Sequence, residues 1–169
     1  VISLGALLDA VPHTREVRIT GRASNKELSE KAQWLGIQNS GYQGPTGIHS
    51  AFADACSKRK LPHANIWSHC PHYVQTSPNP IASYALLERL KNLVDFDLDM
   101  SELRLAGEAF QEEVSKAIAK QPDVSSYVTR LETQYDEARS ESEDMPTGSD
   151  MVNEIEKFLR SQSGGQDSQ

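Results

Sequence analysis

The sequence predicts an α/β protein, and three observations carry that expectation. Short apolar runs with strand character recur at 1–8, 16–20 and 64–70. Two capped, amphipathic helical segments stand between the second and third of them, and strands interleaved with helices over short loops are the pattern of a layered sheet rather than a helical bundle. Beyond Pro80 the chain turns helical and acidic, which adds an antiparallel helical hairpin behind the sheet.

Residues 1–8 are apolar except for Ser3 and Gly5, the pattern of a parallel strand covered on both faces. The run opens the sequence without a polar lead-in and reads as the interior of a longer chain. A loop around Pro12 follows; then Val17 and Ile19 alternate with Arg18 and Thr20 as a second strand, which Gly21 is expected to end. Ser24-Asn25-Lys26-Glu27 fits a capping box, with Ser24 as cap. Leu28, Ala32 and Leu35 mark the helix that follows, and Gly36 closes it in the left-handed conformation. A Gly-Pro turn at 42–47 leads into a helix with the stripe Ile48, Phe52, Ala55 and Cys56. The third strand, 64–70, leaves the sheet at Pro71.

Asn79-Pro80 supplies a cap and a first helical position, and Ala82, Leu86, Leu87, Leu90 and Leu93 continue as a buried helix that breaks at 95–99. The stripe Leu103, Ala106, Phe110, Val114 and Ile118 then predicts one helix, and Val124, Val128, Leu131, Tyr135 and Ala138 another, with Pro122 between them. The expected organisation is therefore a sheet domain over 1–94, an acidic hairpin over 102–143, a linker and short helix over 144–160, and a disordered tail over 161–169.

The net charge of −7 on 169 residues is uneven: residues 1–78 carry +3 and residues 79–169 carry −10. An acidic half repels phosphate backbones, which argues against nucleic acid and for a basic protein surface as partner. Mean hydropathy is −0.55, and no apolar run approaches the roughly 20 residues that cross a bilayer. Cys56 and Cys70 read as reduced thiols in the core of a cytoplasmic protein.

Three turns, taken in order, carry a family resemblance. They are Leu4-Gly5-Ala6-Leu7 running into Val11-Pro12-His13-Thr14-Arg15, Tyr42-Gln43-Gly44-Pro45-Thr46-Gly47-Ile48, and Pro71-His72-Tyr73-Val74. Together with the helices after Pro80 they resemble the bacterial branch of the proteasome assembly chaperone family, the branch related to the second eukaryotic assembly chaperone, over about residues 1–160. The resemblance implies a three-layer α/β/α sandwich with a mostly parallel sheet, similar to phosphorylases and peptidyl hydrolases, of which this chain is the C-terminal half. It implies binding of protein subunits and self-association as a homo-oligomer. It supplies no catalytic residues and no cofactor. One departure is the terminus Gln166-Asp167-Ser168-Gln169, which lacks the hydrophobic-Tyr-any tripeptide with which some proteasome partners dock.

The residues themselves offer an alternative, a small-molecule enzyme of hydrolase or carboxylate–amine ligase type. Ligands of open α/β sheets bind beyond the carboxyl ends of strands. His13 and Arg15 follow the first strand, and His72 and Tyr73 follow the third. If those strands are parallel, the imidazoles and the guanidinium converge as base and anion clamp, although no nucleophile or orienting carboxylate adjoins either histidine in sequence. Gly44, Thr46 and Gly47 form a possible anion-binding turn before a helix, but they lack the Lys and spacing of a phosphate loop, and a tight turn capped by Thr46 is the better reading, since capping alone explains every residue in it. His63, His69, Cys70 and His72 are rich in metal-ligand atoms, yet His69 and Cys70 point to opposite faces of a strand, so no metal site is expected. Trp34, Tyr42, Trp67 and Tyr73 are the candidate anchors of a protein interface.

Overall fold

The structure, a computed structural model, describes residues 1–39 and 47–144, with side chains through 140. Its first 132 residues, Val1–Glu132, form one compact unit, and a second begins at Thr133. Four strands, β1 (Ile2–Asp9), β2 (Ile19–Ala23), β3 (Gln38–Asn39) and β4 (Ala64–Pro71), make one sheet in the order β1-β4-β2-β3. β1 runs parallel to β4, and β2 parallel to β3, while β2 and β4 are antiparallel. Among the described residues five helices accompany them: α1 (Lys26–Trp34), α2 (Ile48–Lys58), α3 (Pro80–Val94), α4 (Ser101–Ile118) and α5 (Pro122–Asp144).

The core lies between the sheet and α3, where Ile19, Ile37, Ile66 and Leu93 are buried together and Leu86, Ala85 and Leu35 pack against them. β4 is the central strand and the best covered, with Ile66 and Ser68 sealed from solvent. β1, at the sheet edge, differs from the two-sided burial its sequence predicts: Leu4, Leu7 and Leu8 remain exposed, Leu8 at 63%. Among the described residues no strand pairs with the far side of β1, so apolar side chains of both its faces meet solvent.

Several local readings shift. β2 does not end at Gly21 but runs through it, because a side chain there would meet Asn65 O at 2.5 Å and Ile37 Cγ2 at 2.9 Å; the glycine serves close strand approach rather than a turn. The cap of α1 is Asn25, whose Oδ1 accepts the Leu28 amide at 2.9 Å, while Ser24 Oγ is occupied by the His63 amide. Gly36 takes the predicted left-handed conformation at φ 75°. The two-residue β3 has no signature of its own in the sequence and is created by pairing with β2. In α2, Cys56 is buried but Ile48 and Phe52 are exposed, Ile48 at 82%. α3 follows the sequence closely: Asn79 Oδ1 accepts the Ala82 amide, Pro80 starts the helix, and Asp95 closes it in the left-handed region. α4 crosses α3 at Gly107, where an added Cβ would stand 3.1 Å from Ile81 Cα.

Candidate functional site

The parallel pairing of β1 and β4 aligns their carboxyl ends, with Leu7 beside His69 and Asp9 beside Pro71. The loops that leave them therefore start side by side, and they bring together His13, His72 and Tyr73. The His13 amide donates to the Tyr73 phenol at 2.9 Å, and His13 Nδ1 lies 3.0 Å from the same oxygen. The rings of His13 and His72 both meet Tyr73 edge-on, at 5.9 Å and 5.6 Å between centroids. Tyr127 of α5 adds a third edge-on contact at 6.2 Å and holds Arg130 over its own ring.

Each histidine is already occupied. Ser115 donates its hydroxyl hydrogen to the Gln111 carbonyl at 2.9 Å, so its oxygen accepts from His13 Nε2 at 3.0 Å. The neutral imidazole thus carries its hydrogen on Nε2, leaving Nδ1 to accept from the Tyr73 phenol. Gln111 Nε2 completes the circuit by donating to the His13 carbonyl at 2.7 Å. Burial holds the His13 imidazole below its ordinary value, against an opposing pull from Glu132. Burial likewise pushes the Tyr73 phenol up. His72 Nδ1 donates to the Asp9 carbonyl at 3.0 Å, and its Nε2 faces the Tyr127 hydroxyl at 3.5 Å.

Arg15 is engaged by α5. Its guanidinium lies 3.4 Å from Glu132 of α5, whose carboxylate also accepts the Thr14 hydroxyl. The strand-end crevice is consequently filled by α4 and α5, and the cavity left among Val11, His13, Arg15, His69, Phe110 and Gln111 measures ≈ 20 Å³, about enough for a single water.

The arrangement that sequence reasoning missed lies just inside these loops. Asp9 Oδ2 accepts from His69 Nδ1 at 2.7 Å, and His69 Nε2 meets the Thr20 hydroxyl at 2.9 Å. A carboxylate, an imidazole and a hydroxyl are thus linked across β1, β4 and β2. The Asp9 carboxyl is drawn upward by burial, but the His69 hydrogen bond and the Ala10 amide outweigh that and hold it below its ordinary range. Thr20 is only 5% exposed, so this hydroxyl is closed to a substrate. Parallel register alone could have revealed the pairing, since both residues sit near the carboxyl ends of their strands.

The other candidates are scattered. Trp34 is 85% exposed at the end of α1. Trp67 lies over Gly5, where any side chain would collide with its ring, and meets His49 edge-on at 4.6 Å. Tyr42, Gly44 and Thr46 lie outside the described residues. Gly47 is the cap of α2, with no side-chain hydrogen bond, so the cap expected of Thr46 falls one residue later. Cys70 is buried, and its burial raises the thiol value, which makes it a poor nucleophile or ligand. Among the described residues no three His, Cys, Asp or Glu side chains gather as metal ligands would, and no helix is long and apolar enough to cross a membrane.

A mixed sheet, with the parallel pairs β1–β4 and β2–β3 joined by the antiparallel pair β4–β2 and with helices on its connecting segments, defines the class as α/β. Residues 1–118 match the PAC2 family, and the chain belongs to that family. Solved structures agree. A PAC2 family protein from Streptomyces avermitilis is 38% identical, with a TM-score of 0.63 over 75% of this chain and 52% of its own. A proteasome-assembly chaperone homologue from Mycobacterium tuberculosis is 37% identical, with a TM-score of 0.64 over 75% and 52%. A second Mycobacterium tuberculosis protein, of unknown function, is 27% identical, with a TM-score of 0.75 over 85% and 48%. The chain thus spans about half the length of the solved structures it matches. No curated protein matches the sequence.

Proposed function

We propose that this is an assembly-chaperone-like protein, which binds other protein subunits and turns over no substrate. The observation that carries the reading is the occupancy of the strand-end histidines. His13 is committed to Tyr73 and Ser115, and His72 to the Asp9 carbonyl, so the groups an enzyme would use instead tie neighbouring segments of the fold together. The similarity to a proteasome-assembly chaperone homologue supports the same reading. In the whole protein the sheet continues past β1 and is sandwiched by helices on both faces, α4 and α5 form the acidic hairpin, and the protein self-associates in the cytoplasm. The charge of −10 on residues 79–169 suits a basic partner surface, and the exposed Trp34 and Ile48 suit an interface with an apolar centre.

Light scattering of the full-length protein at micromolar concentration tests self-association, and a strict monomer would refute it. The competing reading, a small-molecule enzyme at the strand-end loops, draws on the Asp9, His69 and Thr20 chain. Replacing His13 and His72 with Ala separates the two: a lost product or ligand signal from a folded variant would establish the enzyme.

A further inference from the structure

The circuit around His13 ties three distant segments together: the loop after β1, the loop after β4, and the carboxyl-terminal half of α4. Its members are 60 residues apart for His13 and Tyr73, and 102 apart for His13 and Ser115. Every hydrogen in it has one direction. The Gln111 carbonyl can only accept, which orients the Ser115 hydroxyl; Ser115 then accepts from Nε2, and Nδ1 is left bare for the Tyr73 hydroxyl.

We propose that this circuit is an acid-sensitive clasp, closed while the His13 imidazole is neutral and opened by its protonation, which parts the loop after β1 from the loop after β4 at Tyr73. A proton added to His13 goes to Nδ1, the one free ring position, and it faces the Tyr73 oxygen. That oxygen already accepts the His13 amide. The phenol hydrogen loses its acceptor, and two donors press on one oxygen. The Nε2 bond to Ser115 is the same in both states, so the switch sits at Tyr73.

Groups of the neighbouring elements face the imidazole. From the loop after β4 come Tyr73 and, on its far side, His72. From α4 come only Ser115 and Gln111; Glu112 and Lys116 of the same helix are paired with each other in solvent. From α5 comes Glu132, whose charge favours the imidazolium, but it is engaged by Thr14 and Arg15. Burial of the ring prevails over it. Protonation is therefore resisted when the clasp is closed and easier when it is open, and by linkage acid opens it. This holds whether or not the protein binds partner subunits.

The test follows the His13 ring by NMR from about pH 7.5 to about pH 4, together with amide exchange at residues 13 and 72–74 corrected for intrinsic rates. The imidazole titrates below 6.5, the ordinary value, and exchange of these amides rises by up to about tenfold for each pH unit by which the imidazole lies below it, across the same pH span. In His13→Gln the acid response of these amides is absent. Tyr73→Phe removes the phenol hydrogen, so the His13 midpoint moves up and the response shrinks. A ring titrating at or above 6.5, protection unchanged across the ring's own titration, or an undiminished response in His13→Gln overturns the proposal. If Tyr73→Phe does not fold, the titration and exchange of the unaltered protein decide it.

Discussion

The imidazole of His69 stands 2.7 Å from the carboxylate of Asp9, a residue 60 positions earlier. The pair joins an edge strand to the central strand through side chains as well as backbone. His69 is buried to 9% exposure, so neither ring nitrogen has ready access to water, and Thr20 satisfies the second one. The chain is a brace across three strands, placed beneath the loops that carry His13 and His72.

Removing the carboxylate leaves a buried N–H without an acceptor. Asp9→Ala is expected to cost about 1–3 kcal/mol of stability. Asp9→Asn, whose amide oxygen still accepts, should cost less. Urea unfolding of both variants measures the difference, and equal losses would mean that the negative charge, not the hydrogen bond, matters.

The same pair fixes the direction of an acid effect. The folded-state value of the Asp9 carboxyl lies below its ordinary 3.8. Its contribution to stability is therefore fully present above about pH 3.8 and is lost as the pH falls through the lower, folded value. Between those limits, Asp9→Asn should flatten the stability profile relative to the unaltered protein, as read from urea midpoints taken in that acid range.

Gly21 and Gly47 make opposite predictions. A Cβ at Gly21 would stand 2.5 Å from the Asn65 backbone oxygen, which cannot move without breaking the β2–β4 register. Gly21→Ala should destabilise by about 1–3 kcal/mol. Gly47 caps α2 in an extended conformation, and among the described residues no atom lies within 4 Å of an added Cβ. Gly47→Ser gives the helix a side-chain cap it lacks and should stabilise by a few tenths of a kcal/mol, about the usual difference between these caps. Thermal melts of the two single variants check both signs.

What the sequence shows and hides follows the range of the interactions. Elements set by neighbours in the chain were legible: the Asn79-Pro80 start of α3, the left-handed Gly36, and the break at Asp95. Features set by pairing were not. β3 exists because β2 lies alongside it, and Gly21 is required by Asn65, 44 positions away in sequence. The site divides in the same way. Placing His13 and His72 on loops after strands needs only strand ends, but their partners Ser115 and Tyr127 come from helices whose docking no periodicity specifies. Asp9, His69 and Thr20 needed the strand register itself, and nothing in the residues preceding either histidine signals it.

The unpaired side of β1 yields a prediction that separates an edge strand from an interior one. Leu8 is 63% exposed on the strand whose far side no described strand covers. In the 169-residue chain, Leu8→Gln should then change stability by no more than about 0.5 kcal/mol, as at an ordinary surface position. If the whole protein continues the sheet past β1 and covers it with helices, the same glutamine becomes a buried amide without a partner. Its cost there combines lost apolar burial with an unsatisfied polar group and should exceed about 2 kcal/mol. Urea unfolding of Leu8→Gln in both the whole protein and the 169-residue chain compares the two environments directly. A small cost in both would show that β1 is a true edge, and the continued sheet would have to be abandoned.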